Sequence, residues 1–333
     1  MRVRKVSPLP MNLPISFRFL VCLMIVFFFA NIANARTVNG ERLSEAEYTL
    51  PPFKDSGFRQ TDDIKNYYET EIKQNLENAQ KDTLIEAFEY SSDGLRVRGL
   101  SWVKRNLKSN EKLPILIWNR GGNRDFGSLD VNDAIWLSKF AQKGYFVFAS
   151  QYRGTEHEVG KDEFGGKDVH DVLNLIKLAK LTSHADGTQI FVAGHSRGGM
   201  ETYLVLKADP EIKAAASLAG ECDLKAGLAS RPDFEKDVYE ELIPHYLENK
   251  TRALDARSAC SWPSKIHAPL YILQGTEDMA VDPKEATELA QSLASANVPY
   301  QLEFFDGGHN LWFFDQNADA IVSKIDQWFQ LHR

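Results

Sequence analysis

Gly194-His195-Ser196-Arg197-Gly198-Gly199 sets a serine between glycines. The apolar run Gln189-Ile190-Phe191-Val192-Ala193 precedes it, and a stretch of helical character over 200–207 follows. A G-x-S-x-G between a strand and a helix is a nucleophile elbow. The turn is so sharp that strand and helix backbones pass one another at the two glycines, where a side chain would collide. Ser196 takes strained backbone angles there and is pushed into the open at the head of the helix. A serine hydroxyl is a poor nucleophile until a base removes its proton. The base is usually a histidine oriented by a carboxylate, and the chemistry is acyl transfer through a tetrahedral oxyanion.

In the α/β-hydrolase fold, which owns this elbow, the three groups follow in the order serine, acid, histidine. Leu273-Gln274-Gly275-Thr276-Glu277-Asp278 ends a strand candidate in a turn with Asp278 at its tip, and Gly307-Gly308-His309 follows the last strand candidate. Both lie at carboxyl ends of strands, where α/β sheets place their ligands. Asp278 and His309 are therefore the candidate acid and base. Glu277, Asp282 and Asp306 are rivals for the acid. His195 sits inside the elbow, before the nucleophile. His157, His170, His184, His245, His267 and His332 fall in loops, helices or the tail, as surface or packing residues. The oxyanion needs preorganised donors. One is the amide of Arg197, the residue after the nucleophile; the other comes from the loop after an early strand. Asn119-Arg120-Gly121-Gly122-Asn123 fits that loop, with Gly122 as the second donor.

These residues need a scaffold, and the chain supplies its pattern. Strand candidates lie at 114–118, 145–149, 189–193, 214–218, 269–274 and 300–305, and helix candidates at 131–142, 168–180, 200–208, 283–296 and 319–330. Near-continuous apolar strands alternating with helices predict a mostly parallel, doubly wound sheet buried on both faces. Alternating segments 85–90 and 95–103 flank Ser92-Asp93-Gly94, and Asp-Gly marks an antiparallel hairpin before it. Residues 230–251 break the rhythm with Phe234, Tyr239, Leu242, Ile243 and Tyr246 among charges, a small helical insert. The catalytic domain thus runs over 84–333. Residues 36–83 read as an N-terminal helical extension, from Ile64, Tyr67, Tyr68, Ile72 and Leu76 at helical spacing.

Residues 1–35 differ from the rest. Arg2, Arg4, Lys5 and Arg18 face no acid there, an apolar run spans 19–30, and Ala33-Asn34-Ala35 follows. This is the pattern of a secretory signal peptide, and the run is short for a membrane span. It predicts an exported protein, periplasmic or secreted, with no membrane segment after cleavage. Cys222 and Cys260 then remain, free to pair or simply to be buried. The 333-residue chain carries a net charge of −7, so no basic footprint argues for nucleic acid. There is no metal-ligand cluster, dinucleotide fingerprint or phosphate loop, so no cofactor is expected.

Taken together, these residues resemble the catalytic domain of the prolyl oligopeptidase family of serine peptidases. The likeness runs from about Leu84 to the C-terminus. It rests on the Ser92-Asp93-Gly94 hairpin, Gly144-Tyr145-Phe146-Val147, Tyr152-Arg153-Gly154, Gly165-Gly166-Lys167-Asp168-Val169-His170-Asp171-Val172, the elbow, Gly275-Thr276-Glu277-Asp278 and His309. The resemblance implies a Ser196-Asp278-His309 triad and a structural Arg153–Asp171 pair. Members commonly carry an N-terminal β-propeller, which 36–83 is too short to form. Several place a tyrosine before the Gly-Gly pair of the oxyanion loop; Arg120 stands there instead. The hole then rests on backbone donors alone, or Arg120 binds a substrate carboxylate. The expected function is an exported serine peptidase cleaving peptides or small amides. An esterase is the close alternative, since ester and amide cleavage share this constellation, and a ligand-binding protein without catalysis is the more distant one.

Overall fold

Runs such as Ile115-Leu116-Ile117-Trp118 carry apolar side chains on both faces, and the protein buries them mid-sheet. A computed structural model describes residues 37–49, 68–155, 159–310 and 318–333. The expected signal peptide over 1–35 and His157 lie outside these residues. One sheet holds β1 (Arg42–Glu47), β2 (Thr83–Ser92), β3 (Leu95–Lys104), β4 (Leu113–Asn119), β5 (Phe146–Ser150), β6 (Ala185–His195), β7 (Ala214–Leu218), β8 (Leu270–Gly275) and β9 (Tyr300–Phe305). Their order is β1-β2-β3-β5-β4-β6-β7-β8-β9. β1, β2, β3 and β5 pair antiparallel. From β5 to β9 every pairing is parallel. This is the α/β-hydrolase fold, with the hairpin joining β2 to β3 at Asp93-Gly94 as the sequence predicts.

Helices cover both faces: α1 (Lys73–Asp82), α2 (Val131–Gln142), α3 (Asp168–Leu181), α4 (Arg197–Ala208), α5 (Leu224–Ser230), α6 (Tyr246–Arg257), α7 (Pro283–Ser295) and α8 (Ala318–Gln330). Alternation along the strands divides the core in two. Ile115, Ile117, Ile190 and Val192 pack with Val172 of α3, Val205 of α4 and Leu289 of α7. Leu116, Trp118, Phe191 and Ala193 pack with Trp136 and Phe140 of α2 and Phe329 of α8. Asp130 caps α2: its side chain accepts from the amides of Asn132 and Asp133, and Asp133 Oδ2 accepts from Asp130 N at 3.0 Å. Such a box satisfies donors that the first helical turn leaves unpaired.

Two segments differ from the expectation. The extension over 36–83 is not wholly helical: Arg42–Glu47 forms an edge strand beside β2, and the helix there ends at Asp82. Arg42-Leu43-Ser44-Glu45-Ala46-Glu47 buries little, so it has no apolar alternation for a sequence reading to detect. The insert is broader than 230–251. Its helical parts run from α5 to α6, with single turns at Glu235–Tyr239 and Glu240–Leu242 between them. Phe234, Tyr239 and Tyr246 hold it together, and Phe164 packs against the first two with ring centroids 5.9 and 5.4 Å away.

Cys222 and Cys260 come side by side, with sulfurs 2.8 Å apart. Beside them, Glu285 Oε2 accepts from the amides of Cys222 and Asp223 at 3.0 and 3.1 Å. Burial, aided by the Glu221 carboxylate, pushes the Glu285 carboxyl up to about 8. Its folded value is raised, so the protonated acid's stabilisation is complete below the ordinary carboxylate range and is lost as pH rises through about 8. Glu285→Gln is expected to flatten the fall in melting temperature between pH of about 5 and about 8, read by scanning fluorimetry. A variant as pH-sensitive as the parent would contradict this origin.

Candidate active site

Ser196 has φ 56° and ψ −125°, a conformation costly for a side-chain-bearing residue. It is over-determined from both sides. A Cβ on Gly194 would lie 2.2 Å from Gly198 O, and one on Gly198 would lie 2.0 Å from Asn119 O. Ser196 N donates to Leu218 O at 2.9 Å, tying the turn to β7. α4 starts at Arg197; the sequence places its start near 200 because two glycines of low helix propensity fill the first turn.

Asp278 and His309 meet. The His309 Nδ1–Asp278 Oδ2 distance is 2.8 Å, and the Asp278 side chain is fully buried. Asp278 Oδ1 accepts from the amides of Ala280 and Val281 at 2.8 and 2.9 Å, and Oδ2 also accepts from Gln274 Nε2 at 2.9 Å. Burial alone would raise the Asp278 carboxyl, but the His309 bond and the two amides outweigh it and hold it below the usual range. A carboxylate only accepts, so His309 Nδ1 carries its hydrogen and Nε2 remains basic. Among the rivals, Asp282 caps α7 through Lys284 N at 2.9 Å. Elsewhere His170 pairs with Asp93, and His184 and His332 bond backbone carbonyls.

Ser196 and His309 line one cavity of about 250 Å³ with His195, Gly121, Gly122 and Trp118. A Cβ on Gly121 would sit 3.3 Å from Ser196 Cβ, which measures how closely this loop passes the serine. Gly122 has φ +69°, and a Cβ there would lie 2.0 Å from Phe126 O, so glycine is required. Among the described residues, neither the Gly122 nor the Arg197 amide is paired with a protein acceptor.

Two arginines hold this loop, and neither role is visible in the sequence. Arg120, which the sequence offers as a contact for a substrate carboxylate, lines the cavity but spends its guanidinium donors within the protein. It is buried and donates to the carbonyls of Gln151, Gly121, Phe126 and Arg124 and to Thr155 Oγ1. Its planar fork matches several carbonyls of one tight loop, which explains an arginine at this position. Burial and the neighbouring Arg197 lower it to about 10, still a cation at neutral pH. The Arg197 guanidinium lies over the Tyr152 ring, 5.1 Å from its centroid. It donates to Gly122 O at 3.0 Å, to both oxygens of Asp162 at 2.7 and 2.9 Å, and to Asp168 Oδ2 at 2.6 Å. Asp162 Oδ2 accepts Arg124 N as well, at 2.8 Å. Arg153 and Asp171 form the buried pair that the family resemblance implied, at 2.7 Å.

The prolyl oligopeptidase family profile matches residues 132–332. The chain is 24% identical to the uncharacterized peptidase YtmA of Bacillus subtilis over 242 residues, 72% of this chain and 91% of that one. It is 23% identical to the human acylamino-acid-releasing enzyme over 239 residues, 66% of this chain but 32% of that protein. A puromycin-hydrolyzing peptidase of Mycobacterium tuberculosis superposes with a TM-score of 0.66 at 22% identity, over 75% of this chain and 39% of its own. An acylaminoacyl peptidase of Pyrococcus horikoshii gives 0.65 at 20%, over 75% and 42%. The chain thus spans most of YtmA and between a quarter and two fifths of the other curated relatives. With the elbow, the facing acid and histidine and this profile match, the chain belongs to the prolyl oligopeptidase family of serine peptidases.

Proposed function

We propose that the protein is an exported serine peptidase that cleaves peptides or small amides through an acyl-enzyme. Ser196 Oγ attacks the carbonyl while His309 Nε2 takes its proton. Asp278 keeps the imidazole in the required tautomer and stabilises the imidazolium. The amides of Gly122 and Arg197 receive the oxyanion, each such donor being worth about 3 kcal/mol of transition-state stabilisation. His309 then protonates the leaving amine, and a water repeats the sequence to release the acid. The observation that carries this reading is the Asp278-bound His309 facing the same cavity as the strained Ser196. The basic, apolar leader ending in Ala33-Asn34-Ala35 supports export.

The test is one acyl group carried both as a 4-nitroanilide and as a 4-nitrophenyl ester. Anilide turnover that disappears in Ser196→Ala is the expected result. Turnover of the ester alone would replace the peptidase reading by an esterase.

A further inference from the structure

His195 immediately precedes the serine, yet its side chain turns toward the base rather than the nucleophile. Its Nε2 lies 3.0 Å from the backbone carbonyl of His309, and the two rings are 4.7 Å apart, tilted by 46°. A carbonyl oxygen only accepts, so His195 Nε2 carries the hydrogen. The residue is 7% exposed. Burial, then the adjacent His309, lower it to about 3, so it stays a neutral imidazole at every working pH. Its backbone is fixed, because His195 ends β6 in register with Leu218. The loop that carries His309 is tied on its other side by Glu277 N, which donates to Gly307 O at 2.9 Å.

We propose that His195 is a positioning residue that sets the spacing between nucleophile and base. It joins the rigid strand end bearing Ser196 to the main chain of His309. Asp278 controls the tautomer and one edge of the His309 ring; His195 controls the backbone from which that ring projects. This role rests on the Ser196–His309 reading given above. A misplacement of about 1 Å between reacting groups costs roughly a hundredfold in rate, so a single well-placed bond on the base's backbone matters.

The test uses His195→Leu, which cannot donate, and His195→Gln, whose terminal amide can reach the same carbonyl. Steady-state kinetics on 4-nitrophenyl acetate are paired with the proton spectrum of the His309 Nδ1 hydrogen. The Leu variant is expected to lose roughly ten- to a hundredfold in kcat with little change in KM, and to weaken the downfield Nδ1 signal. The Gln variant is expected to recover most of both. Should the Leu variant fail to melt cooperatively, His195→Asn takes its place, since its shorter amide falls short of the carbonyl. A folded Leu or Asn variant with the parent kcat, beside an inactive Ser196→Ala, overturns the tether and leaves the nucleophile assignment standing. Full turnover in Ser196→Ala overturns that assignment and the tether with it.

Discussion

Ser196→Ala is expected to lower kcat/KM by about four orders of magnitude or more, with the melting temperature nearly unchanged. The base and its carboxylate act through the Ser196 hydroxyl, so without it they have no nucleophile to activate. Members of such a triad act as one unit, so removing the nucleophile costs nearly what removing all three would. Stability is spared because alanine keeps the β-carbon that already tolerates φ 56°. The Ser196 amide still reaches Leu218 O, and the Ser196 carbonyl still accepts from Gly199 N at 2.8 Å. Activity assays beside thermal melts check both halves. An inactive variant that also melts early would mean that the hydroxyl holds the elbow together.

Arg197→Met is expected to destabilise the protein by about 3–5 kcal/mol, because removing one partner of a buried ion pair strands the other. Here the stranded groups are Asp162, Asp168 and Glu201, all buried around one guanidinium. Burial, then the Asp168 charge, drive the Glu201 carboxyl well up. Burial acts against ionisation at Asp168 too, but Arg197 outweighs it and holds that carboxyl low. A depressed folded value means the stabilisation is present above the ordinary carboxylate range and is lost as pH falls through the acid range. Arg197 also grips Gly122 O, so surviving folded variant should turn over slowly, with the oxyanion loop released. Denaturant melts at neutral and acidic pH test this. A loss below about 1 kcal/mol, typical of an exposed pair, would contradict a buried network.

Much of this arrangement could be read from the residues. The inner strands of the parallel sheet announce themselves because they are buried on both faces and carry unbroken apolar runs, as at 190–193 and 270–273. The elbow is legible because its glycines are demanded by backbone contact. Asp278 and His309 follow from chain order and from their places at strand ends. What remains hidden is set by three-dimensional partners. Arg120 looks like a cation offered to a substrate until the carbonyls of 121, 124, 126 and 151 close around it. Arg197 enters the sequence argument for its amide, whereas its side chain depends on Asp162 and Asp168 some thirty residues earlier, with no periodic signal to join them. His195 reads as a passenger in the elbow because its acceptor lies 114 residues away. β1 is missed because an edge strand buries too little to leave a pattern.

The central claim is that Ser196 is the nucleophile of an acyl-transfer site. Labelling the protein with a fluorophosphonate and locating the adduct by peptide mass spectrometry tests it most directly. The account predicts one adduct, on the peptide carrying Ser196, abolished in Ser196→Ala and strongly slowed in His309→Ala. An adduct on a different residue, or no adduct in folded protein, would contradict it.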